Sequence, residues 1–85
     1  MTTKELAETL QRNGIEKTIT VLIERAVHMP AQAQDCLTRI IEICGLCEIR
    51  NVIKVLSDYG IQHPQTRETC LTFVVGVCDA SSKDF

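Results

Sequence analysis

Long apolar stretches are missing from this 85-residue sequence. The longest uninterrupted one, Phe73-Val74-Val75-Gly76-Val77-Cys78, falls far short of the roughly 20 residues that cross a bilayer, so no membrane insertion is expected. An excess of either charge is missing too: nine Lys and Arg stand against eleven Asp and Glu, for a formal charge of −2. Interspersed charges in that balance leave no electrostatic footprint for nucleic acid or an anionic lipid surface. The start, Met1-Thr2-Thr3-Lys4-Glu5-Leu6, lacks the basic stretch and apolar core of a secretory signal, and a cytoplasmic location is the expectation. Tryptophan is absent, no glycine-rich phosphate loop occurs, and Tyr59, Phe73 and Phe85 are the only Phe or Tyr residues.

What remains is aliphatic: 45% of the residues are apolar, five of them cysteines set mostly among Leu, Ile and Val. An odd count of thiols in a reducing compartment argues for small packed hydrophobes and against a disulfide framework. The length fits a single domain, and folding at this size buries only about 60 to 65% of the unfolded chain's surface. Such a domain is marginal, stapled, or helped by a partner.

With few Gly and Pro, the breakers divide the chain into five blocks, and the periodicity predicts an all-α fold of about five short antiparallel helices. Leu6 and Leu10, with Thr2 and Glu5 at capping-box spacing and Asn13-Gly14 as a left-handed stop, predict a helix over 3–12. Ile15, Ile19, Leu22, Ile23 and Ala26 predict a second over 15–28. Pro30 starts a third, over 31–44, with the stripe Ala33, Leu37, Ile40, Ile41 and Cys44 and with Gly45 as its stop. Ile49, Val52, Ile53 and Leu56 predict a fourth over 47–59, with Gly60 as a left-handed residue and Ile61 touching Leu56 in a Schellman motif. The block Pro64 to Cys78 is β-branched, yet Cys70, Val74, Val77 and Cys78 fit a helical stripe and a lone strand has nothing to pair with. Residues 1–78 thus form one helical domain, and the small polar tail 79–85 is expected to be disordered.

Short connections make antiparallel hairpins. The second half of a tetratricopeptide unit fits residues 46–64 without gaps, placing Leu46, Ile49, Val52, Leu56 and Pro64 at its characteristic positions. The first half fits poorly, because Ile40 occupies the position that needs Gly or Ala.

Chemistry is hard to find. Cys44-Gly45-Leu46-Cys47 is a CxxC, but at a helix-to-helix corner rather than after a strand, and Cys70 and Cys78 are too far apart to complete the usual paired zinc ligands. His28 and His63 sit beside prolines at corners, with capping and exposure as sufficient explanations, and the carboxylates lie on polar helix faces with basic partners, as Asp35 with Arg39. Helix-turn-helix DNA binding needs apolar residues where Asn51 and Lys54 fall. No catalytic residue, metal site or cofactor is expected. A DNA-binding regulator and a CxxC zinc or redox module stand as alternatives to a binding module.

Apolar residues beyond one stripe per helix point to the binding module. Cys36, Ile43 and Cys47 widen helix 3, Val55 lies opposite Ile49 and Val52, and helix 2 adds Val21 and Val27. The expectation is a partner-binding groove lined by Val27, Ile43, Cys47, Val55 and Phe73, set against the alternative of a helix buried on most sides.

The stretch Gly45-Leu46-Cys47-Glu48, followed by Val52-Ile53-Lys54-Val55-Leu56-Ser57-Asp58, resembles the helical-hairpin core of the small YscG-like chaperones of type III secretion needle subunits. With its flanks, the likeness covers roughly half the chain. It implies a tetratricopeptide-like protein of the bacterial cytoplasm that joins a small helical co-chaperone and keeps the needle subunit from premature polymerisation.

Overall fold

The computed structural model describes residues 3–82, with side chains from 4 to 80. Five α-helices follow in order, α1 (Thr3–Asn13), α2 (Ile15–His28), α3 (Ala33–Leu46), α4 (Ile49–Gln62) and α5 (Arg67–Ser82), and no strand occurs among the described residues. The all-α expectation holds, and the β-branched block is helical. No helix of the described residues is long and apolar enough to cross a membrane.

Helix ends differ from expectation where glycine was read as a stop. Gly45 lies inside α3, which ends when Cys47 turns extended at φ −134°, ψ 170°. Gly60 lies inside α4, which runs to Gln62, and Ile61 is 69% exposed, so no Schellman contact forms. Among the described residues only Gly14 has a positive φ, at 87°, with ψ 160°, a combination close to glycine-only backbone space that turns α1 directly into α2. The capping partner Thr2 lies outside the described residues. Of the tail expected to be disordered, 79–82 continue α5, since no breaker follows Cys78, and 83–85 lie outside the described residues.

Helix bounds expose an internal repeat. Residues 15–48 and 49–82 align without a gap, so that α2 and α4, each of 14 residues, start at equivalent positions, as do α3 and α5. Pro30 and Pro64 are equivalent and each opens a one-turn 3₁₀ segment, Pro30–Gln32 and Pro64–Thr66. The residues before them share one conformation, Met29 at φ −130°, ψ 79° and His63 at φ −127°, ψ 82°. Both lie outside the α region, which a following proline disfavours for its neighbour. Nine pairs are identical: Ile15/Ile49, Ile19/Ile53, Val21/Val55, Leu22/Leu56, Pro30/Pro64, Cys36/Cys70, Leu37/Leu71, Thr38/Thr72 and Cys44/Cys78.

The two hairpins lie side by side, α4 against α2 and α5 against α3, while α1 packs on α2 and α3 at the other end. The core draws on every helix: Leu6, Ile19, Ile23, Cys36, Ile40, Ile43, Val52, Leu56, Cys70, Phe73 and Val77 are all 3% exposed or less. Two glycines set the spacing. A Cβ on Gly60 would meet the Cβ of Cys70 at 3.2 Å, and one on Gly76 would meet both Leu37 methyls at 2.9 Å. Buried Thr66 is satisfied locally, donating to the His63 carbonyl at 2.7 Å, and Thr18 donates to the Gly14 carbonyl at 2.8 Å.

Candidate docking surfaces

The five residues expected to line one groove are not brought together. Ile43 (0% exposed) and Phe73 (2%) are core residues, because the inward face of α3 runs through Cys36, Ile40 and Ile43 and that of α5 through Cys70, Phe73 and Val77. Neither is open to a partner docking on the folded chain. Val27, Cys47 and Val55 are half-buried against the core. Val27 lies near the C-terminus of α2 and Cys47 caps that of α3, which are opposite ends of an antiparallel pair.

Val55 lines a cleft of about 360 Å³ between α2 and α4. Its walls are mainly polar, with Glu16, Asn51, Lys54, Asp58 and Gln62 around an apolar floor of Ile15 and Val55. Nearby, the Tyr59 hydroxyl of α4 donates to Oε1 of Glu24 on α2, whose Oε2 lies 3.3 Å from His28 Nε2. The Tyr59 ring also rests on the His63 ring, centroids 4.3 Å apart. This set ties α2 to α4. On the other hairpin layer Arg39 lies 3.8 Å from Glu42, in place of the expected pairing with Asp35.

A second concavity, of about 390 Å³, lies between α4 and α5. Leu56 and Cys70 form its buried floor, Ile61, Leu71 and Val74 its sides, and Arg67 its one charged edge. Ile61 is 69% exposed, and Leu71 and the adjacent Val75 are 58% exposed each, the largest apolar exposures among the described side chains. Their first-repeat equivalents Val27, Leu37 and Ile41 are all packed against the core. The same apolar face is therefore covered in one repeat and open in the other. Sequence reasoning missed Ile61, Leu71 and Val75, and the signal that finds them is the 34-residue self-alignment.

The thiols are spread through the helices rather than gathered. Burial pushes the Cys36, Cys44 and Cys70 thiols above their ordinary value, with Cys47 and Cys78 adding to the effect at Cys44. These three are poor nucleophiles near neutral pH. Among the described residues no group of three His, Cys, Asp or Glu is placed to hold a metal ion.

No family model, no curated protein and no solved structure matches the chain.

Proposed function

We propose that this chain is a non-catalytic helical-repeat binding module that shelters an apolar helix face of a partner protein. The observation that carries this reading is the apolar groove between α4 and α5, with Ile61, Leu71 and Val75 open to solvent beside it. A client helix that lays its apolar stripe into such a groove is held from self-association by mass action. The 34-residue period is that of tetratricopeptide units, which supports assigning the chain to that style of scaffold. The resemblance of Gly45–Glu48 and Val52–Asp58 to YscG-like chaperones names the client: a type III secretion needle subunit, held in the bacterial cytoplasm together with a small helical co-chaperone.

Co-expression tests it. With the needle subunit, the chain should yield a soluble complex that the double variant Ile61→Asp, Leu71→Asp loses and that Val21→Asp, on an exposed part of α2, retains. A complex that survives the double variant would refute the assignment.

A further inference from the structure

We propose that the open face of the second repeat seats a helical hairpin of a partner chain, which packs on α4 and α5 as they themselves pack on α2 and α3. This rests on the docking reading and adds the form of the occupant. The internal repeat carries it: Leu71 and Val75 are equivalent to Leu37 and Ile41, and what lies on Leu37 is a helix, α5, at Gly76. Repeat arrays continue by nearest-neighbour stacking, and a terminal repeat without a neighbour normally carries a polar outer face. On the second repeat that face is apolar, as a face that receives a further hairpin is.

Two features specify the occupant. Its helix over Leu71 needs a small residue, because the equivalent approach at Gly76 leaves a Cβ only 2.9 Å from the Leu37 methyls. A carboxylate on that helix would add an ion pair, since Arg67 edges the groove, where the first repeat has Ala33, and no ion pair engages Arg67 among the described residues. A second copy stacked head to tail does not meet the geometry: the leading side of its first repeat is occupied by α1, whose Leu6 is 1% exposed.

The probe is the chain's own second repeat. Duplicating residues 49–82 in tandem after Ser82, in the native 34-residue register, should raise the melting temperature by at least about 5 °C. Leu71→Asp in the original copy, or Gly76→Leu in the added copy, should abolish the rise. Unmodified chain should sediment as a monomer. A lengthened chain that melts no higher, or a dimer of the unmodified chain dissolved by Leu71→Asp, overturns the proposal, the latter by giving the face to a second copy. If the lengthened chain gains nothing while the needle subunit still depends on Leu71, only the hairpin form of the occupant fails. If the rise appears and the needle subunit binds regardless of Leu71, the named client fails instead.

Discussion

Gly76 is where the association of the two hairpins is most sensitive to a single carbon. A Cβ there would lie 2.9 Å from both Cδ1 and Cδ2 of Leu37 and 3.4 Å from its Cγ. Two effects oppose each other in Gly76→Ala. The helix gains up to about 1 kcal/mol from replacing glycine in its interior. Overpacking costs about 1–3 kcal/mol, toward the lower end because the clashing atoms are the tips of a half-buried leucine that can swing aside. The two should nearly cancel. Gly76→Val removes the balance: β-branching reduces the propensity gain, and two further methyl groups enter a space that has no room for one. A net loss of about 2–3 kcal/mol follows, large against the stability of a chain this short. Leu37→Ala clears the space, so the double variant Gly76→Val, Leu37→Ala should recover at least about 1 kcal/mol relative to the sum of the single changes. Urea unfolding followed by helical circular dichroism gives all four corners of the cycle. If Gly76→Val is as stable as the parent, or the two changes are simply additive, α3 and α5 do not meet at this point and the packing described for the repeats is incorrect.

Other expectations separate core from face and buried thiols from open ones. Phe73→Ala should cost about 3–5 kcal/mol and leave little folded protein, because Phe73 is 2% exposed in the centre of the core. Leu71→Asp, at 58% exposure, should cost no more than about 0.5 kcal/mol in urea unfolding, and a comparable loss at both positions would contradict the burial pattern. Under native conditions near neutral pH, Cys78, which is exposed, should react with a disulfide reagent first, while Cys36 and Cys70 should wait for global unfolding. Because burial holds the Cys36, Cys44 and Cys70 thiols above their ordinary value, the folded chain keeps protons that the unfolded chain releases. Their contribution is full below about pH 9 and is lost as pH rises through the folded values, so the urea midpoint should fall on the alkaline side, less steeply in Cys36→Ala.

The helices themselves were legible because apolar periodicity is a direct consequence of packing one face: Ile19, Leu22, Ile23 and Ala26 were expected inside α2 and are there. The groove was not legible from surplus apolar residues. On α3 the excess residues Cys36 and Ile43 are the core, and part of the expected stripe, Leu37 and Ile41, lies at its margin. Periodicity gives the width of an apolar band, whereas its centre depends on where neighbouring helices lie. Reading Gly45 and Gly60 as stops ended α3 two residues and α4 three residues too early and hid the equality of α2 and α4. Gly60 serves close approach to Cys70 instead, which local sequence does not distinguish from a helix end. The repeat was present all along in Cys36-Leu37-Thr38 and Cys70-Leu71-Thr72 and in the two prolines, and comparing the chain with itself finds it where comparison with a tetratricopeptide template does not.

The central claim is that the outer face of the second repeat, and not the polar α2–α4 cleft, receives the partner. Site-specific photo-crosslinking in cells co-expressing the needle subunit tests it most directly, with a photoreactive residue placed at position 71 in one variant and at position 55 in another. A covalent adduct with the needle subunit from position 71 and none from position 55 is the predicted result; an adduct from position 55 alone would contradict it.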